Sequence, residues 1–467
     1  MTAPAHAPDP DPDPSTAAEP ALLDGTRRAL LHRLAVAQYE GRAPAAVAAV
    51  VRDGRRVWFG SRGAVDGEPA TADTQFRIGS ITKTFVAVLV LRLRDEGLLD
   101  LGDRLGTHLP TPQGGDATIA QLLSHSSGLA AEARGPWWER TPGELRPEPA
   151  DLFGDEPQPH PAGRRFHYSN PGYALLGALV ERLRGRPWHE VLHAEVLEPL
   201  GMSRTAPQPS APHAEGWAVH PWADVVQRER VVQTGLMAPA GELWSTAGDL
   251  SRFAAFLAAG DERVLGTASL AEMRAPAVAP EPADWNGSYG LGLQVQHHDG
   301  RMLAGHGGSM PGFVAALWLD VEAGLGAVAL ANVTSGMPVA ALATGLMAEV
   351  AEREPRLPGP WQPLDGVDTA LLALTGPWYW GAAPYLLRLR GGGRVELSPM
   401  AGGRLGSRFE PVPGGGWKGL DGYFAGEPLR AVRRPDGTVD HLDLGTFVFT
   451  RQPYDPDAAV PGGTEGW

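Results

Sequence analysis

Cysteine is absent from the 467 residues of this chain. That excludes disulfides, thiolate catalysis and cysteine-based zinc sites. Lysine is nearly absent too: of forty cationic side chains only Lys83 and Lys418 are lysine, and arginine serves everywhere else. No apolar run reaches the roughly 18 residues that span a bilayer. Positive charge is in deficit, with a formal net charge of −14, so neither nucleic acid nor an anionic membrane is expected as a partner. The opening stretch MTAPAHAPDPDPDPSTAAEP has no basic n-region and no apolar h-region. It does not read as a secretory signal, and a cytoplasmic location is expected. Alternating Asp-Pro cannot build a helix or bury a core, so residues 1–20 read as a disordered acidic tail.

What is present is ordinary for a globular protein: 43% hydrophobic and 20% charged residues. The stretch APAAVAAVVRDGRRVWFGSRGAV reads as two apolar strands joined by a hairpin turn at Asp53-Gly54. From Ser80 to about Glu96 the pattern is helical and apolar nearly all round, which marks a helix buried at a domain centre. TIAQLLSHSSGL begins at a candidate N-cap, Thr118. YALLGALVERLRG and WHEVLHAEVLEPLG read as further helices. Strand patterns return at RMLAGHGGS, FVAALWLDV and GLGAVALANV. Strands at both ends with helices between them predict one discontinuous α+β domain over residues 21–355. A Pro-rich linker follows over 356–366. Residues 367–467 then carry short strands with Gly-rich turns and predict a separate antiparallel β domain, a barrel or a sandwich. Within it GPWYWG clusters Trp378, Tyr379 and Trp380, which read as core aromatics.

The chemistry begins at RIGSITKTF. Residues three apart share one helix face, so Lys83 lies one turn beyond Ser80 and beside it. A serine hydroxyl is a poor nucleophile without a neighbouring base. Lysine can be that base when burial lowers its pKa, whereas arginine stays protonated. This gives a reason for a lysine to persist in a chain that otherwise uses arginine. Alone, Ser-x-x-Lys also reads as a helix cap followed by a surface lysine. HYSNPGY adds Tyr168, able to move protons, and Asn170, able to hydrogen-bond a substrate amide; alone it also reads as a turn before a helix. AGHGGSMPGF places His306, Gly307 and Gly308 on a strand, where glycine allows a substrate backbone close approach.

In this order the motifs resemble the serine β-lactamase and penicillin-binding-protein superfamily. The branch meant is that of class C β-lactamases, a D-Ala-D-Ala carboxypeptidase, D-aminopeptidases and related esterases. The resemblance spans roughly residues 25–355 and includes EVLEPLGM, PAGELWSTAGDL and YGLGL. It implies an antiparallel sheet flanked by helices with a helical subdomain, and a C-terminal all-β domain as in some relatives. It also implies an acyl-enzyme on Ser80, Lys83 and Tyr168 as the acid/base pair, and Asn170 contacting Lys83 and the substrate. Backbone N–H groups of Ser80 and Ser309, the residue after Gly308, would form the oxyanion hole, and no cofactor or metal is implied. His306 stands where many relatives carry a lysine. Mostly neutral at pH 7, it suits uncharged acyl groups better than carboxylated ones.

The function expected is therefore a serine hydrolase acting on small esters, D-amino-acid amides or short peptides. A β-lactamase or D-Ala-D-Ala carboxypeptidase and a non-hydrolytic acyl-binding sensor remain as alternatives. The oligomeric state is not legible. A third alternative, a zinc peptidase, rests on HEVLH, His189 to His193, which matches His-Glu-x-x-His. It lacks an obvious third ligand, the next candidates being Glu195 and Glu198 on the same helix and Glu215 in a Pro-rich loop. Trp137 and Trp138, between the first two motifs, are candidate pocket walls.

Overall fold

The computed structural model describes residues 22–454 apart from 112, 136, 141–151, 279–286, 299, 365, 367 and 403–405, together with 457, 459 and 463. The acidic stretch 1–20 lies outside the described residues. The chain divides into two compact units, residues 1–356 and 357–467.

In the first unit Asp53 and Gly54 both take positive φ, 52° and 77°, the turn that matches strand twist in a two-residue hairpin. It joins β1 (Ala45–Arg52) to β2 (Arg55–Gly63). Five further strands come from the other end of the unit: β3 (Gly287–Tyr289), β4 (Gln294–His298), β5 (Arg301–Met310), β6 (Phe313–Asp320) and β7 (Leu325–Ala331). They form one antiparallel sheet in the order β2-β1-β7-β6-β5-β4-β3.

The central strands β1, β6 and β7 are apolar apart from Arg52 and Asp320 at the ends of β1 and β6, because both faces are covered. Val47, Ala49 and Val51 face one core with Leu317, Leu319, Val328 and Leu330. Ala46, Ala48 and Val50 alternate to the other face with Ala316, Trp318, Ala327 and Ala329. The main helices are α1 (Asp24–Glu40), α2 (Thr82–Asp95), α3 (Ile119–Leu123), α4 (Asn170–Arg184), α5 (Ala247–Ala259) and α6 (Val339–Arg353). Leu30 and Leu34 of α1 and Leu342, Leu346 and Val350 of α6 close the second core. Phe85 of α2 stacks on Phe253 of α5 in the first, ring centroids 3.8 Å apart.

Helix α2 is buried along nearly its whole length, as its pattern predicts, and Gly97 follows its end at φ +74°. It differs at its start: Gly79–Ile81 form a 3-10 turn, and the α-helix proper begins at Thr82. Thr118 caps α3 in a capping box with Gln121. The segment expected as one helix from Trp188 changes pitch, α over Trp188–Leu192 and π over His193–Leu197. No helix among the described residues is long and apolar enough to cross a membrane.

The second unit is a barrel rather than a sandwich. Eight antiparallel strands run in chain order from Gly376–Trp380 to Phe447–Phe449. Tyr379 N–H donates to Thr450 O at 2.7 Å and Thr450 N–H to Tyr379 O at 2.9 Å, which brings the two edges together. Its core holds Trp378, Leu397, Phe409, Leu429, Leu442 and Phe449. Of the GPWYWG aromatics only Trp378 is fully buried, while Trp380 is exposed.

Candidate active site

Ser80 sits in the 3-10 turn that feeds α2, and the buried first turn of that helix carries Lys83. Lys83 Nζ lies 3.0 Å from Ser80 Oγ and donates to Ala240 O at 2.5 Å. Burial lowers the Lys83 pKa to about 7, although Glu132 and Glu139 act to raise it. Near neutrality a large share of this amine is therefore unprotonated, with a lone pair for the Ser80 proton.

Tyr168 precedes α4, whose N-cap is Ser169: its Oγ accepts from Gly172 N–H at 3.1 Å. The Tyr168 ring centroid is 4.9 Å from Lys83 Nζ. Desolvation pushes the phenol well above its usual pKa, so it stays protonated. Ser80, Lys83 and Tyr168, drawn from two distant motifs, are thus brought together.

Asn170 begins α4 and is buried, and its Nδ2 donates to Glu132 Oε1 at 2.9 Å. Glu132 also accepts from Trp138 Nε1 at 2.6 Å, and Glu139 accepts from Trp137 Nε1 at 2.7 Å. Glu139 is held above the usual carboxylate pKa, mainly by burial. Both glutamates lie in a stretch without helix or strand periodicity, and sequence reasoning missed them. The adjacent Trp137-Trp138 pair was the available signal.

His306 is fully buried on β5. Its Nδ1 lies 2.5 Å from Gly307 O, and its Nε2 lies 2.8 Å from the Tyr289 hydroxyl. A carbonyl can only accept, so Nδ1 carries the hydrogen and Nε2 accepts from Tyr289. Burial, then the nearby Lys83 charge, lowers its pKa to about 3. The imidazole is neutral throughout the physiological range. Tyr289, in the YGLGL segment, had no role assigned from sequence.

Gly308 and Gly79 lock β5 against the turn that carries Ser80. A Cβ on Gly308 would lie 1.9 Å from Ile78 O and 3.1 Å from Ser80 N. A Cβ on Gly79, at φ +52°, would lie 2.5 Å from Ser309 N. The close approach that needs glycine at Gly308 is therefore made by the chain itself rather than by a substrate. Ser309 pairs with Val314, one step from the Met310–Phe313 pair that closes the Pro311-Gly312 turn. Hydrogen-bonded and non-bonded pairs alternate along such a ladder, so the Ser309 N–H points away from β6, toward the Ser80 turn.

The HEVLH histidines fall on either side of the change from α to π pitch. Glu195, the nearest candidate third ligand, is engaged by Arg92, Arg184 and Arg186. Among the described residues no three His, Cys, Asp or Glu side chains converge as a metal set.

The family model described as Beta-lactamase matches residues 26–352. A model described as a domain of unknown function (DUF7586) matches residues 367–451. Penicillin-binding protein 4 of Amycolatopsis lactamdurans is 31% identical over 311 residues, covering 61% of this chain and 78% of that protein. A D-stereospecific amidohydrolase from Streptomyces sp. is similar in structure, with 28% identity and a TM-score of 0.58 over 69% of this chain and 98% of that one. The octameric penicillin-binding protein homologue from Pyrococcus abyssi shares the fold at 22% identity and a TM-score of 0.63, over 91% of this chain and 100% of that one.

Proposed function

The chain belongs to the Beta-lactamase family, and from that premise we propose that it is a serine hydrolase acting through an acyl-enzyme on Ser80. The observation that carries the reading is the 3.0 Å contact of Ser80 Oγ with a buried lysine of pKa about 7. In acylation the neutral Lys83 amine takes the Ser80 proton while Oγ bonds to the substrate carbonyl carbon. The carbonyl oxygen, now an anion, is held by the Ser80 and Ser309 N–H groups, each worth roughly 3 kcal/mol in the transition state. The C–O or C–N bond then breaks, and the proton on Lys83 passes to the leaving group, with Tyr168 O–H as the bridge beside it. Water repeats the sequence on the acyl-enzyme and frees Ser80.

This assignment fixes a pH profile. Lys83 must be unprotonated, and burial has lowered its pKa, so kcat/KM for a small ester is expected to fall about tenfold per pH unit below about 7 and to level off above it. His306, at about 3, adds no limb between pH 5 and 9. A rate independent of pH from 5 to 8 would remove Lys83 as the base.

We further propose small esters, D-amino-acid amides and short peptides as substrates, with β-lactams handled weakly. Neutral His306 supplies no cation for a β-lactam carboxylate, and the similarity to the Streptomyces amidohydrolase supports the amide arm. The test compares kcat/KM for p-nitrophenyl butyrate, D-alanine amide and a chromogenic cephalosporin. The ester or amide is expected to lead. A cephalosporin preferred by more than ~10-fold, about 1.4 kcal/mol, would make the enzyme a β-lactamase. A burst without turnover on every substrate would make it an acyl-binding sensor.

A further inference from the structure

His125 touches neither Ser80 nor the proposed oxyanion site, yet it is tightly constrained. It is fully buried and sits at φ +55°, a left-handed conformation uncommon outside glycine, in which asparagine, aspartate and histidine are the enriched side chains. There its main chain and its side chain serve one short segment. Its carbonyl accepts from His167 N–H at 2.8 Å, and its Nδ1 accepts from Ser169 N–H at 3.0 Å. These two N–H groups flank Tyr168. The imidazole also lies against the Tyr168 ring, centroids 4.0 Å apart and planes 30° from parallel. Phe166, Tyr173 and Tyr289 surround it.

A backbone N–H can only donate, so Nδ1 is bare and Nε2 carries the hydrogen. That Nε2–H is buried and has no hydrogen-bond partner among the described residues. An unmade buried bond is a cost that packing alone would not favour. Asparagine would tolerate the same φ and offer an Oδ1 acceptor to Ser169 N–H, though its amide would bring N–H donors of its own. What imidazole adds is an aromatic face on Tyr168.

We propose that His125 is the positioning residue of Tyr168, fixing the backbone on both sides of the tyrosine and the plane of its phenol beside Ser80 and Lys83. The proposal rests on the reading of Tyr168 as a proton-transfer partner. Its effect should therefore pass through Tyr168 and vanish when the phenol is gone.

The experiment is a double-mutant cycle on the full chain with p-nitrophenyl butyrate: wild type, His125→Asn, Tyr168→Phe and the pair. His125→Asn keeps the acceptor and the backbone conformation but loses the ring. It is expected to lower kcat roughly 10- to 100-fold, the scale of a small misplacement in an active site, with KM within about threefold. In the Tyr168→Phe background the same change should cost less than about twofold. If His125→Asn does not fold, as judged by its thermal transition, His125→Gly, which adopts the same φ freely, enters the same cycle, with a larger loss and the same non-additivity expected. A wild-type kcat for the His125 variant, or an equal loss in both backgrounds, overturns the proposal. A wild-type kcat in Tyr168→Phe alone overturns the reading of Tyr168 beneath it, and the two failures are told apart by which single variant is silent.

Discussion

Lys83→Arg should slow acylation of a small ester by at least ~100-fold, the lower range for loss of a general base. The substitution keeps a basic side chain but replaces an amine that can give up its proton with a guanidinium that cannot. Lysine here is buried beside Ser80 and lowered to about 7. Arginine remains protonated even when buried: Arg77, as fully enclosed, falls only to about 10. A guanidinium would also have to fit where Nζ donates to Ala240 O at 2.5 Å. Stopped-flow measurement of the acylation burst separates this step from deacylation. A burst rate near wild type would show that Lys83 contributes charge alone.

Gly308→Ala is expected to be comparably severe, although it touches no reacting atom. A methyl group at Gly308 would lie 1.9 Å from Ile78 O, so β5 and the Gly79–Ser80 turn must separate by more than about 1 Å to restore ordinary contact. That parts the two amides proposed to share the oxyanion, and a displacement of this size can cost about 100-fold. Gly307→Ala is the steric control: among the described residues its added Cβ meets nothing nearer than Ala315 O at 4.0 Å. Its thermal transition should match wild type, whereas Gly308→Ala should unfold at lower temperature. If Gly308→Ala retained wild-type kcat/KM, the contact between turn and strand would not be shaping the site.

The features legible in the sequence were those with a local physical signature. Asp53-Gly54 specified a hairpin because two consecutive positive φ values favour such residues. Thr118 specified a helix start because its hydroxyl satisfies a backbone N–H three residues on. Lys83 stood out because arginine could not replace it in the proposed role. What stayed hidden depends on contacts between distant segments. Glu132 gains its place through Asn170, on another element. Sequence linked Asn170 to Lys83, while the hydrogen bond that fixes its amide goes to Glu132. His125 lay inside a recognised segment, but only its left-handed φ and its contacts with residues 167–169 distinguish it from a core histidine. Barrel and sandwich share the same strand pattern, and the pairing of Tyr379 with Thr450 separates them. The pitch change at His193 had no signal, because α and π turns draw on the same residues.

The most direct test is to react the protein with a fluorophosphonate serine probe and identify the modified peptide by mass spectrometry. One label is expected, on Ser80, absent from Ser80→Ala and appearing faster as pH rises through about 7, where Lys83 loses its proton. Ser124 and Ser126 should stay unmodified, since both are buried and hydrogen-bonded to each other at 2.9 Å. Label on either of them, or labelling that persists in Ser80→Ala, would contradict Ser80 as the nucleophile.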